Sequence, residues 1–169
     1  MAKNLLIVES PGKIKKIQGF LGSTFKVVAS YGHIRDLAKG NKAIEVDNNF
    51  KMNYVISPDK KDVVKGIKKL ADKAEIIYLA ADSDREGEAI AWHVKEVIKA
   101  PESKIRRIVF SEITKKALEK SIANPIELDV NLVNAQQARR ALDRLVGFDL
   151  PPLYGKRLSQ IFLLVEFSL

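Results

Sequence analysis

The chain has 169 residues, 46% hydrophobic and 30% charged, a globular composition that excludes an intrinsically disordered chain. Its 29 basic and 21 acidic residues give a formal net charge of +8. This favours a polyanionic partner, above all nucleic acid, with a basic, well-solvated enzyme as the alternative. The absence of cysteine excludes disulfides and thiolate metal sites. With no signal peptide and no apolar run of roughly 18 residues, we expect a cytoplasmic protein without a membrane span.

Short apolar runs alternate with amphipathic segments along the chain. The apolar runs predict strands at residues 5–8, 25–30, 54–56, 76–80 and 107–110. The amphipathic segments predict helices at residues 11–21, 59–74, 88–99, 114–123 and 129–146, with Ser10 and Thr114 as N-caps and Gly22 and Gly147 as stops. Residues 31–37 and 39–50 are predicted to be loops. The pattern is typical of an α/β domain with a mainly parallel sheet flanked by helices, which we place at residues 1–124.

Acidic residues are concentrated directly after the strand predicted at residues 76–80. Asp82, Asp84, Glu86 and Glu88 fall within seven residues, and Glu9 directly follows the first predicted strand. Functional groups gather beyond the carboxyl ends of parallel strands. If these two strands are neighbours, Glu9 and Asp82 are therefore expected to face each other.

This acidic run predicts a magnesium site. Asp82 and Asp84 are two residues apart and Glu86 continues the alternation, so in extended backbone their side chains point the same way. An all-oxygen pocket without histidine suits Mg²⁺ rather than zinc. Lys13 and Arg85 are cations that could neutralise a bound phosphate. The alternative is a solvated acidic turn that caps the next helix, which accounts for the two glutamates of the run but not for the two aspartates before them.

Two segments carry a resemblance to a known family: residues 5–13, LLIVESPGK, and residues 82–88, DSDREGE. Together they resemble the Toprim domain, and more closely the N-terminal part of the bacterial type IA DNA topoisomerases of the topoisomerase I kind. The acidic motif alone would also fit primases and some nucleases. Further segments resemble the topoisomerase family in the same order, at residues 29–37, 89–93, 110–114 and 133–147.

The resemblance implies an isomerase that relaxes negatively supercoiled DNA without ATP. In the family a tyrosine cuts one strand, a second strand passes through the gap, and the cut is resealed. By carry-over, Asp82 and Asp84 would hold Mg²⁺, with Glu9 and Glu86 completing or supporting the site. Glu9 would also act near the 3′-hydroxyl as acid and base, and Lys13 would contact the scissile phosphate.

The resemblance also implies which residues bind DNA. His33 would lie near the bound strand, with a loop histidine bonded to backbone as the alternative, and Trp92 is expected in the core. Arg140 and Arg144 share a helix face from which Arg139 is turned aside. A single-stranded backbone would be clamped along that helix by Asn134, Gln136, Arg139, Arg140 and Arg144. Further DNA neighbours would be Asp149 and Lys156. The alternative is a solvated basic face that pairs with Asp143 and Glu127.

The chain departs from the family towards its end. The family's nucleophilic tyrosine lies in a later domain, and none of the tyrosines here stands in its context: Tyr31, Tyr54, Tyr78 and Tyr154. Residues 125–158 are expected to start a helical DNA-binding domain that stays incomplete, and residues 159–169 to be a non-native tail. We expect this chain to bind Mg²⁺ and single-stranded DNA but not to cleave DNA. The full-length family is expected to be monomeric and associated with the nucleoid.

Three other functions stay open. One is a stand-alone Toprim nuclease, in which a metal-activated water replaces the tyrosine. Another is a non-catalytic DNA-binding module, and a third is a receiver-type phosphotransfer domain, which also clusters acids at strand ends. The arginine-bearing helix argues against the nuclease, and a receiver domain does not explain residues 85–88.

Overall fold

The structure, a computed structural model, describes residues 3–149. Its strands are β1 Asn4–Val8, β2 Phe25–Ala29, β3 Arg35–Leu37, β4 Ile44–Glu45, β5 Lys51–Met52, β6 Tyr54–Ile56, β7 Ile76–Ala80 and β8 Ile105–Ile108. Its helices are α1 Ile14–Leu21, α2 Lys61–Ala71, α3 Arg85–Ile98, α4 Lys115–Ala123 and α5 Val130–Asp149. The predicted α/β class is confirmed.

The main sheet consists of four parallel strands in the order β2-β1-β7-β8. Val8 of β1 pairs with Ala29 of β2 on one side and with Ala80 of β7 on the other. β1 and β7 are buried at every position after the first, which is the pattern of strands covered by helices on both faces. The three strands therefore end at one level, and the segments that follow them share one edge of the sheet.

Alternate residues of the strands face two different helix layers. Leu5 and Ile7 of β1 pack in one core with residues of α2 and α3. Leu6 and Val8 face the other way and pack with Ile17 of α1 and Leu118 of α4. The result is a three-layer arrangement with the sheet in the middle, which holds the strand ends rigidly in place.

A smaller unit lies against α5. β3 pairs with β6 and β4 with β5, both antiparallel, although residues 31–37 and 39–50 were predicted to be loops. Leu37 and Ile44 pack with Ala141 and Leu145 of α5, so a contact distant in sequence stabilises these very short strands. Among residues 3–149 no helix is both long and apolar enough to cross a membrane.

Several predicted boundaries are wrong, each for a physical reason. β8 lies two residues before its predicted position, because residues 105–108 pair with β7. α3 begins at Arg85, since Asp84 caps it, whereas Ser10 makes no cap hydrogen bond. α5 continues through Gly147, because an interior glycine costs a helix only about 1 kcal/mol. Thr114 caps α4 as predicted.

The domain boundary proposed after residue 124 stays a prediction. Ile126 donates its amide to the carbonyl of Arg107, and α5 packs along α3. Residues 125–149 are thus attached to the α/β layers. Tyr154, Lys156 and the predicted tail at residues 159–169 lie outside the described residues.

Candidate metal and nucleic-acid site

The acidic residues lie at one edge of the sheet. β1 and β7 are hydrogen-bonded neighbours, with Val8 opposite Ala80, so Glu9 and Asp82 follow adjacent strand ends. The expected pairing of the two strands is thereby confirmed, and the facing of Glu9 and Asp82 stays a prediction. Glu9 is half-buried, whereas Asp82, Asp84 and Glu86 are exposed. We call this group of four carboxylates the acidic edge.

Asp84 has a structural task at the acidic edge. Its Oδ1 accepts a hydrogen bond of 2.7 Å from the amide of Gly87, which makes it the N-cap of α3. We expected that helix capping would not account for Asp84, and this expectation was wrong. Because α3 starts at Arg85, the extended alternation ends at Asp84, and Glu86 lies in the first helical turn rather than continuing it.

Two carboxylates of the acidic edge, Asp82 and Glu86, have a cation or an imidazole beside them. Lys13 Nζ lies 3.5 Å from Asp82 Oδ1, and His33 Nε2 lies 2.9 Å from Glu86 Oε2. The prediction of a pocket without histidine was wrong, because the loop after β2 brings His33 to α3. Arg85 is exposed at the start of α3. These groups reduce the mutual repulsion of the carboxylates.

The donor chemistry of the acidic edge fits a hard cation, since every carboxylate oxygen is a suitable ligand for Mg²⁺. The side chains do not converge, however: among residues 3–149 no three acidic or histidine side chains stand in an arrangement that could hold a metal ion. Asp84 is engaged by Gly87 and Glu86 by His33. Mg²⁺ could be held here by Glu9, Asp82, Asp84 and Glu86 after their side chains reorient.

Gly87 allows the acidic edge to lie against α3. A Cβ atom added at Gly87 would lie 2.2 Å from the backbone oxygen of Asp82 and 2.8 Å from its nitrogen. Any side chain would therefore push the Asp82 backbone away. The glycine of the DSDREGE segment is needed for this close approach and not for an unusual φ angle.

Glu88 does not belong to the acidic edge. It is 2% exposed and forms a buried ion pair with Arg107, which is 3% exposed. The alternative of a solvated acidic turn is therefore wrong for Glu88, and the sequence pattern did not single out Arg107. The signal available was weak: two adjacent arginines, Arg106 and Arg107, inside an otherwise apolar run.

A cleft of about 310 Å³ opens beside the acidic edge. Glu86 and His33 form one side of it, and α5 contributes Gln136, Arg139 and Arg140. The remaining lining residues are Arg35, Asp36, Tyr54, Ser57, His93 and Asp143. Of the predicted DNA-binding residues, four thus line this cleft together. Asn134 is exposed and lies outside the lining, as does Arg144, whose Nη2 lies 3.5 Å from the carbonyl of Ala38.

Two of the three arginines of α5 line the cleft, but they are not the pair that the spacing predicts, since Arg139 lies there beside Arg140 and Arg144 does not. Arg140 makes two hydrogen bonds to Asp36, of 3.1 and 2.7 Å, and Arg139 lies 4.0 Å from Asp143. Burial opposes ionisation of Asp36, but the Arg140 hydrogen bond and the Leu37 amide hold the pKa of Asp36 below its usual value. The Asp36 hydrogen bond in turn raises the pKa of Arg140.

The cleft lining includes the Tyr54 ring and the buried His93. The Arg35 guanidinium lies 5.4 Å from the Tyr54 ring and 5.0 Å from the half-buried Trp92 ring, and Arg35 Nε donates to His93 Nδ1 at 3.1 Å. Burial, followed by the charges of Arg35 and His33, lowers the pKa of His93 to about 3. His93 is therefore neutral at pH 7, with Nδ1 as the acceptor.

Comparison with known proteins gives the family of this chain. The Toprim domain family matches residues 4–113, which include the whole acidic edge. The chain belongs to the Toprim domain family. This Toprim chain is 55% identical over 159 residues to DNA topoisomerase 1 of Rickettsia prowazekii (strain Madrid E), an alignment that covers 91% of the chain and 20% of that relative.

A solved structure extends the likeness. Full-length topoisomerase I from Thermotoga maritima is 44% identical to the Toprim chain, with a TM-score of 0.78 over 88% of the chain and 25% of that protein. The Toprim region is thus of the bacterial type IA topoisomerase kind. The chain spans only a fifth to a quarter of these relatives, and α5 lies beyond the residues that the family matches.

Replacement of Gly87 by alanine should displace the Asp82 backbone. We expect Gly87→Ala to lower the free energy of unfolding by about 1–3 kcal/mol, because its Cβ overlaps backbone atoms that cannot rotate away. Urea unfolding measures this. The matched control is Gly66→Ala in α2, where a Cβ meets nothing within 4 Å, and which should stabilise by about 0.5–1 kcal/mol. Equal effects of the two substitutions would contradict the close approach.

His93 should make the Toprim chain less stable at mildly acidic pH. Its folded pKa of about 3 lies below its ordinary value of 6.5, so between these values the unfolded chain binds more protons and stability rises with pH. From pH 7 to pH 5 the His93 contribution falls by about 2 kcal/mol. In urea unfolding, the free energy of unfolding of His93→Gln should therefore fall by about 2 kcal/mol less than that of the wild type between pH 7 and pH 5. His33→Gln, which leaves His93 intact, should retain the loss, and equal slopes for wild type and His93→Gln would refute a neutral, buried imidazole.

Proposed function

We propose that these residues form the metal-binding and strand-holding part of a DNA topoisomerase I that relaxes negatively supercoiled DNA without ATP. The observation that carries this proposal is that the acidic edge and the arginine-lined cleft share Glu86, which touches His33. A phosphodiester in the cleft would therefore lie next to the carboxylates. The proposed setting is a monomeric protein of the cytoplasm and nucleoid.

The acidic edge is proposed to hold Mg²⁺ and to handle the ends of a cut strand. When bound, the metal supplies charge neutralisation and alignment of the 3′-hydroxyl oxygen. Glu9, half-buried at the end of β1, gives and takes the proton of that oxygen. Lys13 and Arg85 stabilise negative charge on the phosphate oxygens. Lys13 already lies beside Asp82, so it can serve the metal-binding carboxylates and the phosphate alike.

The cleft is proposed to hold a single strand through its phosphates. His33, Arg139 and Arg140 are its cationic or protonatable groups, and Gln136 offers an amide. Arg140 is presented by α5 and held by Asp36, which fixes the direction of its guanidinium. Phosphate contacts of this kind position a strand without reading its sequence. Arg144, Asn134, Asp149 and Lys156 are proposed to extend the contact along the strand.

The nucleophilic tyrosine is proposed to lie outside residues 3–149. Tyr78 is 7% exposed in β7, so its hydroxyl is withdrawn from DNA. Burial raises the pKa of Tyr54, with the Arg35 charge opposing it, which makes its hydroxyl a poor nucleophile. Tyr31 is exposed, but it stands on the loop beside Gly32 and not in a context typical of the family's nucleophile.

Magnesium binding should depend on the acidic edge. We expect Asp82→Asn to weaken Mg²⁺ binding at least about tenfold, measured by isothermal titration calorimetry. The matched control is Asp72→Asn at the end of α2, which lies at the opposite edge of the sheet because β7 begins just after it; its affinity should equal that of the wild type.

A plasmid cleavage assay on the purified chain distinguishes the proposed topoisomerase part from a stand-alone nuclease. With Mg²⁺ and supercoiled plasmid, the purified chain should leave the plasmid intact and form no covalent 5′ adduct. Nicking that is lost in Asp82→Ala would instead favour the nuclease, and relaxation would place the nucleophile within this chain. Wild-type affinity for Mg²⁺ in Asp82→Asn would contradict the metal assignment.

Single-strand binding should depend on Arg140. We expect Arg140→Gln to weaken the binding of a short oligonucleotide and to reduce the slope of log K against log salt by about 1, the value for one lost phosphate contact. Fluorescence anisotropy over a salt series measures both. Lys73→Gln removes the same charge at the opposite edge of the sheet and should leave the slope unchanged. Equal slopes for all three proteins would refute a phosphate contact at Arg140.

A further inference from the structure

Arg107 is buried although it is charged. It is the third residue of β8, pairs in register with Leu79 of β7, and is 3% exposed. A charge in such a place is tolerated only when its hydrogen-bonding groups are satisfied and a counter-charge is near. Its surroundings therefore show what it is for.

The Arg107 guanidinium spreads its hydrogen bonds over the segment that leads from β7 into the acidic edge. Nη1 donates to the carbonyl of Ala81 at 2.8 Å and to that of Leu79 at 3.3 Å. Nη2 donates to the carbonyl of Asp82 at 2.8 Å. Ala81 and Asp82 lie past the end of β7 and have left the strand ladder. Arg107 therefore fixes the backbone from which the Asp82 side chain projects.

Glu88 holds Arg107 and reaches α5 at the same time. Its Oε1 accepts from Arg107 Nε at 3.0 Å and from Nη2 at 2.6 Å. Its Oε2 accepts from the amide of Asp129 at 3.1 Å, one residue before α5 begins. A single buried carboxylate thus connects the backbone of the acidic edge, through Arg107, to the start of the helix that carries Arg139 and Arg140.

We infer that Arg107 is a positioning residue for the acidic edge: with Glu88 as its partner, it holds the Asp82 backbone in place for metal binding and sets the start of α5 beside it. The inference rests on the proposed function where it concerns Mg²⁺, and on the hydrogen bonds alone where it concerns the backbone. A role in stability alone would need only the core volume, which apolar side chains of similar size supply.

The decisive variant replaces the buried pair by an apolar one, Glu88→Leu with Arg107→Met. This double change keeps the core filled, and such replacements are often neutral or stabilising. We expect the variant to unfold cooperatively in urea, to bind Mg²⁺ about tenfold more weakly or worse, and to exchange the amide hydrogens of residues 82–84 at least about tenfold faster. Arg107→Lys is the second variant, for use if the double variant does not fold. It keeps the charge beside Glu88 but loses the hydrogen bonds that the guanidinium distributes over several carbonyls. Its Mg²⁺ affinity and amide exchange should therefore change in the same way.

The control is Leu118→Ala, which opens a cavity in the opposite helix layer and destabilises by about 2–5 kcal/mol without touching Arg107. It should leave the Mg²⁺ affinity and the exchange of residues 82–84 unchanged well below its melting temperature. Unchanged exchange in a folded Arg107 variant would overturn the positioning role. If the wild type itself bound no Mg²⁺, the proposed function would fall, and hydrogen exchange would still decide the role of Arg107.

Discussion

The site depends first on the parallel, in-register pairing of β1 with β7. Val8 opposite Ala80 makes two apolar strands end at the same level, and every group of the acidic edge takes its place from that coincidence. A shift of one residue would turn each side chain of β7 to the other face. Because Leu5, Ile7, Ile77 and Leu79 fill one core and their neighbours fill the other, such a shift is strongly disfavoured.

Charge compensation is the second constraint. Carboxylates that stand close together repel each other, and in this fold the Lys13 ammonium lies beside Asp82 while the His33 imidazole hydrogen-bonds Glu86. These pairs are solvent-exposed, so each contributes little to stability, on the order of 0–1 kcal/mol. Their side chains can therefore exchange partners at little cost in free energy when a cation or a phosphate binds. The buried pair of Glu88 and Arg107 is of the opposite kind and stays fixed.

Local patterns in the sequence predicted the parts of this structure that local physics decides. The apolar runs at β1 and β7 and the carboxylates after them follow from periodicity and strand ends. Pairings between distant segments could not be read in this way. His33 meets Glu86 across 53 residues and Arg140 meets Asp36 across 104, and only the assembled fold brings them together.

The close approach of Gly87 to Asp82 has a consequence for motion. With no side chain between them, the segment after β7 and the first turn of α3 pack directly against each other, and the Asp84 cap ties them further. What stays mobile at the acidic edge is the exposed side chains, which change rotamer within picoseconds to nanoseconds. At the proposed metal site, the close packing thus favours reorientation of the carboxylate side chains over a shift of the backbone when an ion binds.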